Sequence, residues 1–220
     1  MELYTLTVSY GVVTNAISTP TATYVLNQNP YNGTCSVSPL TGYAMKTNFT
    51  IDCQYWADFD GNVDRYEYFA TYLGNNNPIG LSFDYNGSVT VQLPAGPAYD
   101  NYELNLFVAV FDDLNGPTIF YLNETVIVNI DMPLIDGIVS SILTNDLSSA
   151  IVSVLSSGSI KDASNNIISL SSTLNVLASE SPAKLDNIVK AKTACMSSIT
   201  AMNVTELSET KVNKKMQLFK

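Results

Sequence analysis

Residues 104–111 set Leu104, Leu106, Val108 and Val110 on one side of an alternating run, with Phe107 and Phe111 on the other. A period of two marks an extended strand, apolar enough here to be covered on one face and partly on the other. Such a strand cannot stand alone, because its backbone and its apolar face both need partners. The chain supplies them. Tyr4, Leu6, Val8 and Tyr10 alternate with Thr5, Thr7 and Ser9, and Ala22, Tyr24 and Leu26 repeat the pattern. Phe49, Ile51 and Cys53 alternate with Thr50 and Asp52. Tyr66, Tyr68, Ala70 and Tyr72 follow, then Val89, Val91 and Leu93, and a final pair near 118–122 and 124–130. Breaker-rich segments separate many of them, as at Asn27-Gln-Asn-Pro-Tyr-Asn-Gly33, Gly74-Asn-Asn-Asn-Pro78 and Asp112-Asp-Leu-Asn-Gly-Pro117. About seven short strands with turn signals between most of them predict an antiparallel β-sandwich of the fibronectin-type-III or immunoglobulin kind.

After Pro133 the period lengthens. Leu134, Ile135, Ile138, Val139 and Ile142 follow helical spacing. Asp146 can cap a second stretch ending at Gly158, a third runs over about 160–178, and Ser181-Pro182 opens a fourth. The expected organisation is therefore the last strands of a preceding sandwich over 1–28, a sandwich over 29–130 and a C-terminal helical segment over 131–220.

Charge divides the chain in the same place. Residues 1–130 carry 12 acids against two bases, Lys46 and Arg65, while 131–220 carry 8 of each. An acidic sandwich lacks the basic footprint that nucleic acid requires. Polar positions are filled by Ser, Thr and Asn, and only 14% of residues are charged. Five sequons are present, at Asn32, Asn48, Asn86, Asn123 and Asn203. Such a surface fits a glycosylated protein outside the cell. Cys35 and Cys53, 18 positions apart, can close one disulfide. Cys195 is left over and shares a helical face with Ile188, Ile199 and Met202, which fits a buried free thiol.

No basic-then-apolar leader follows Met1, and the apolar stretch 134–155 is broken by Asp136, Asn145 and Asp146, so it is no membrane span. An extracellular chain of this kind is expected to be a segment of a longer protein.

The chain has no histidine, which removes Ser-His-Asp and Cys-His chemistry and His-containing zinc sites. It is not expected to be an enzyme and no cofactor is required. Calcium is the one candidate ligand: Asp58, Asp60, Asn62 and Asp64 place oxygen-bearing side chains at every second position of a turn. Val63 and Phe69 stand where an EF-hand would need Gly and Glu. Asp112-Asp113-Leu-Asn115 is a similar, weaker acidic turn. The run Leu93-Pro-Ala-Gly96 ahead of Tyr102 predicts a tyrosine corner, and Trp56 is expected to cover one end of the core.

The ordered set Gly33-Thr-Cys35, Thr47-Asn-Phe49-Thr-Ile51-Asp-Cys53, Trp56-Ala-Asp58-Phe-Asp60, Tyr66-Glu-Tyr68, Leu93-Pro-Ala-Gly96, Tyr102 and Val108-Ala-Val110-Phe-Asp112 resembles the receptor-for-egg-jelly (REJ) module of polycystin-family membrane proteins. The later helices resemble the region that precedes the autoproteolytic GAIN domain in these proteins. The resemblance implies an extracellular segment at the cell surface that serves adhesion, ligand binding and spacing. Its partners would be an extracellular protein or carbohydrate and the neighbouring ectodomain and membrane domains. Neither autoproteolysis nor channel activity is expected of this segment, since it carries no His-Leu-Ser/Thr cleavage site and no multipass membrane part. A carbohydrate-binding accessory module of a secreted enzyme, using some of the 13 tyrosines, is the alternative.

Overall fold

The structure is a computed structural model, and it describes residues 3–7, 21–72, 77–144, 160–180 and 186–193. β1 (Leu3–Thr7) and β2 (Thr21–Val25) pair antiparallel in a two-stranded sheet of their own. The remaining strands form two layers. β3 (Thr34–Ser38), β5 (Asn48–Gln54) and β8 (Ser88–Gln92) make a three-stranded antiparallel sheet in the order β3-β5-β8. β4 (Thr41–Tyr43), β6 (Val63–Thr71), β7 (Ile79–Asp84), β9 (Glu103–Asp112), β10 (Pro117–Tyr121) and β11 (Val126–Asn129) make the other. Its order is β4-β11-β9-β6-β7, with β10 also on β9.

Alternation decides what lies between the layers. Phe49, Ile51 and Cys53 of β5, Tyr66, Tyr68 and Ala70 of β6, and Leu104, Leu106, Val108 and Val110 of β9 all enter one core. Burying side chains of this size contributes about 1.5–3 kcal/mol each before entropy is counted. The fold is thus the antiparallel sandwich that the sequence pattern predicts, followed by helices.

Two irregularities shape it. The chain changes layers between Ser38, which pairs with Thr50, and Thr41, which pairs with Ile127 in a parallel register. The crossing is Pro39-Leu40, and the Ser38–Pro39 peptide is cis. Pro39 has no N–H to leave unpaired at this sheet edge. The second irregularity lies on the other side of β9. Tyr121 pairs with Phe107 and Val126 with Leu104, so five steps on one strand match three on β9. β10 and β11 therefore run as one strand along β9, interrupted by two extra residues, with β4 on the outer side of the β11 half. The Leu122 N–H keeps contact with Leu106 O at 3.0 Å, while Asn123, Glu124 and Thr125 bulge into solvent.

Cys35 and Cys53 face each other in the β3–β5 register and form a disulfide with Cα atoms 4.0 Å apart. The bridge joins neighbouring strands of one sheet, unlike the inter-sheet bridge of antibody domains.

The expected tyrosine corner is built differently. Tyr102 lies just before β9 with φ 63°. Its backbone, not its hydroxyl, makes the corner: Tyr102 N–H donates to Pro97 O (3.0 Å), Tyr102 O accepts from Val128 N–H (2.9 Å), and Gly96 N–H donates to Val128 O (3.1 Å). A side chain on Gly96 would sit 2.2 Å from the Tyr102 carbonyl, so that glycine is required by close backbone approach. Trp56 packs on the core as expected, edge-on to Phe120 with ring centroids 5.8 Å apart.

α1 (Met132–Thr144) and α2 (Ile160–Glu180) follow the strands, and 186–193 is helical. The stretch capped by Asp146, the Ser181-Pro182 start and Cys195 lie outside the described residues. Ile135, Ile142, Leu170, Leu174, Leu177 and Ile188 form a second core, closed by Met45 from the β4–β5 turn. α2 lies against β7 and β8, the free edges of the two sheets. Covering those edges protects two rows of backbone groups that would otherwise invite another strand. Among the described residues no helix is long and apolar enough to cross a membrane.

Candidate functional site

β6 begins where β9 ends, with Val63 opposite Asp112. This register brings the β5–β6 turn and the β9–β10 turn to the same pole of the sandwich. Residues 26–31, arriving from β2, run across both turns. Tyr31 bridges Ala57, Thr118 Oγ1 donates to Pro30 O (2.5 Å), and Asn29 Nδ2 donates to Pro117 O (2.7 Å). Gln28 N–H donates to both Asp60 carboxylate oxygens at 3.2 Å, and Asn27 Nδ2 donates to Asp112 Oδ2 at 2.7 Å.

The carboxylates of this pole differ in how they are satisfied. Asp112 is fully buried. Its Oδ1 accepts from Leu114 N–H (2.9 Å) and Gly116 N–H (2.6 Å), and its Oδ2 accepts from Asn27. Burial pushes its pKa up, but these bonds and the Arg65 charge outweigh it and hold the group below the usual carboxylate range. Asp58 is the opposite case. Both its oxygens are shielded from solvent and neither has a hydrogen-bond partner. Burial raises its pKa; the Asp60 N–H lies near and pulls the other way, without reaching hydrogen-bond geometry. The charges of Asp60 and Asp112 raise it further.

Gly61 and Gly116 let these groups crowd together. A Cβ on Gly61 would lie 2.6 Å from Asp113 Oδ1 and 2.8 Å from Asp58 Oδ2, so both carboxylates pack against this glycine and leave no room for a side chain. A Cβ on Gly116 would lie 2.5 Å from Asp112 Oδ2 and 2.6 Å from Asn29 Oδ1.

The four positions read from the sequence as a calcium set are not brought together. Asp58 points into the pole, Asp60 holds the Gln28 backbone, and the exposed Asn62 contributes its carbonyl to Asp113 N–H (3.1 Å). Asp64 has already entered β6 and lies 3.5 Å from Arg65. The period-two reading put side chains on one side of a turn, whereas a strand begins at Val63 and sends Asp64 elsewhere. Sequence reasoning ranked Asp112 and Asp113 lower and read Asn27 and Asn29 only as breakers. Among the described residues, no three acidic or cysteine side chains gather closely enough to hold a metal by themselves.

The outer face of the larger sheet carries aromatics. Phe69 and Phe107 stack at 4.8 Å with planes 10° apart, and Tyr121 tilts onto Phe107 at 5.4 Å. The Arg65 guanidinium lies 3.9 Å over the Phe111 ring, while Nε pairs with Glu67 (2.9 Å) and Nη1 donates to Asn115 (2.9 Å). The two phenylalanines turn ring faces toward each other rather than outward. Asn32, Asn48, Asn86 and Asn123 are exposed on turns, a strand start and the edge bulge. Asn203 lies outside the described residues.

Comparison with known proteins bears on these features. The family model described as REJ domain matches residues 2–169. The polycystin family receptor for egg jelly of Mus musculus is 30% identical over 116 residues, covering 46% of this chain and 5% of that protein. The chain therefore matches a small part of the relative's length. Among solved structures, a carbohydrate-binding module of the β-sandwich superfamily aligns with TM-score 0.31 and 19% identity, covering 49% of this chain and 37% of that one. The PKD1 domain of Vibrio anguillarum Epp aligns with TM-score 0.28 and 16% identity, covering 48% of this chain and 99% of that one.

Proposed function

We propose, from the premise that this chain belongs to the REJ domain family, that it is an extracellular segment of a polycystin-like membrane receptor, acting as a spacer and a binding surface rather than as an enzyme. The observation that carries this reading is the Cys35–Cys53 disulfide, set inside the matched residues in register between two core strands. Such a bridge belongs to an oxidising compartment. Four exposed sequons support the same side of the membrane. Ligand or homophilic contacts fall to the outer sheet face and its loops, where Phe83, Tyr85, Ile119 and Tyr121 are exposed. The carbohydrate-module alternative would rest on exposed tyrosines such as Tyr55, Tyr99 and Tyr121, since the stacked Phe69–Phe107 pair turns its ring faces inward on itself.

The test is secretion of the 220-residue chain from a eukaryotic host behind an added leader. Peptide mapping is expected to find the 35–53 bridge and glycans on Asn32, Asn48, Asn86 or Asn123. A chain that is secreted unglycosylated with both thiols free would overturn the compartment. For contact function, beads coated with the glycosylated chain are expected to aggregate or to capture cells. The substitution Tyr121→Ser should reduce capture; equal capture by both would remove the sheet face from the proposal.

A further inference from the structure

We propose that β10 is an open sheet edge that pairs antiparallel with β10 of a second copy of this chain. This deepens the contact role proposed above and rests on it for its purpose outside the cell. The sandwich is covered on one side and bare on the other. α2 lies over β7 and β8, while β3, β4 and β10 border the opposite side. These three edges are not equivalent. At β4, Tyr43 N–H donates to Thr47 Oγ1 (2.9 Å) and Tyr43 O accepts from Thr47 N–H (3.0 Å), so the chain's own turn occupies the strand end. The exposed side chains of β3 are the polar Thr34, Ser36 and Ser38. β10 exposes Ile119 (46%) and Tyr121 (65%), carries no charge, and among the described residues pairs with β9 alone. An uncharged, apolar edge of this kind is a template for another strand.

The ladder fixes which backbone groups of β10 are free. Asp112 N–H donates to Gly116 O (3.2 Å) and Leu122 N–H to Leu106 O (3.0 Å). Antiparallel pairs alternate, so Thr118 and Phe120 also turn toward β9, and Ile119 and Tyr121 turn N–H and C=O away from it. Pro117 keeps the same phase: its carbonyl accepts from Asn29 Nδ2 (2.7 Å) outside the sheet, and it has no N–H to present. Past Tyr121 the bulge of Asn123, Glu124 and Thr125 ends the regular edge. The free donors and acceptors are therefore those of Ile119 and Tyr121. A second copy running antiparallel about a two-fold axis at Phe120 presents the same groups in reverse order. Ile119 then exchanges both bonds with Tyr121 of the second copy, and Tyr121 with its Ile119. Pairing Ile119 with itself would instead call on Pro117, which has no donor and whose carbonyl Asn29 already holds. In the two-fold register Ile119 and Tyr121 lie side by side on the outer face, a favourable cross-strand pair. Residues 1–130 carry 12 acids against two bases, which draws a basic partner to other surfaces. The uncharged β10 is where two such acidic sandwiches can meet.

Sedimentation equilibrium of the whole secreted chain tests this. The contact is short and belongs with interfaces that bury less than about 1,200 Å². A weak, concentration-dependent dimer is expected, and no higher species, because two-fold pairing closes on itself. Ile119→Pro removes an N–H that β9 does not use, and should weaken association by about ten-fold or more. The thermal midpoint of the dilute variant should stay within about 5 °C of wild type. Side-chain variants are read beside it, since a proline can also disturb the strand. Ile119→Lys and Tyr121→Glu should each weaken the dimer. The double variant should associate better than either, because each lysine then faces a glutamate of the second copy. Ser36→Lys, on the β3 edge, should change nothing. Asn123→Gln, which removes the sequon bordering β10, should associate at least as tightly as wild type. A chain that stays monomeric up to about 1 mM, or an Ile119→Pro variant that dimerises equally, would overturn the proposal. So would a double variant no better than the single ones, or a Ser36→Lys variant as weak as Ile119→Lys. A monomeric chain that still captures cells would remove the pairing and keep the contact role, whereas a dimer without capture would do the reverse.

Discussion

The Ala95 backbone N–H donates to the Thr173 hydroxyl at 3.0 Å, across 78 positions of sequence, and both groups are buried. The Thr173 hydroxyl in turn donates a hydrogen bond to Ser169 O at 2.8 Å. One hydroxyl thus joins the loop after β8 to the middle of α2. Thr173→Val keeps the shape and removes the acceptor, leaving the Ala95 N–H buried without a partner. Urea unfolding is expected to show a loss of about 1–3 kcal/mol, with Thr173→Ser close to wild type. An unchanged midpoint for Thr173→Val would mean the helix is not docked in this way.

The corner before β9 separates two accounts of Tyr102. If its hydroxyl carried the corner, Tyr102→Phe would be costly. Here Tyr102→Phe is expected to change stability by less than about 0.5 kcal/mol. Gly96→Ala, which drives a methyl into the Tyr102 carbonyl, is expected to cost more than about 2 kcal/mol. Chemical denaturation of both variants checks the order.

Reducing the Cys35–Cys53 bridge, or replacing both residues by alanine, removes a constraint across 18 positions. A loss of about 3 kcal/mol is expected, read as a lower thermal midpoint in dithiothreitol. Wild type and the double variant should coincide once the bridge is reduced.

Asp131 caps α1 through Leu134 N–H (3.3 Å) and pairs with Lys46 Nζ at 2.9 Å. The Lys46 bond, then the Leu134 bond, holds its pKa below the ordinary carboxylate value. A depressed folded pKa gives stability that is full above the unfolded value near 3.9 and lost as pH falls through the folded one. The stability difference between wild type and Asp131→Ala should therefore hold from pH 7 to about pH 5 and shrink below about pH 4. Thermal melts across that range measure it.

What could be seen in the sequence was whatever has a short period. The strands through Phe49, Tyr68 and Val108 announce themselves by alternation, and Cys35 and Cys53 are the cysteines of the sandwich region. α1 shows in the spacing of Ile135 and Ile142. Contacts set by register are different. Asp112 ends a strand and becomes buried because Asn27, 85 positions away, lies against it. Nothing local marks that meeting. Thr173 is likewise a polar residue in a helical run, and only the tertiary fold makes it an acceptor. Asp64 misled because a turn and the first residues of a strand share the same polar letters.

The position of the disulfide has a mechanical consequence. A pull on the segment before Pro30 first meets the hydrogen bonds that tie residues 27–31 to the two turns, and then β3, an edge strand that would ordinarily unzip from β5 one hydrogen bond at a time. Cys35 is the second residue of β3, so the covalent link meets the load almost at once and passes it to β5. Within β3, only Thr34 can peel away ahead of it. The rest of β3 and the crossing at Pro39 stay off the load path, so the residues between Cys35 and Cys53 add nothing to the length of a chain under tension.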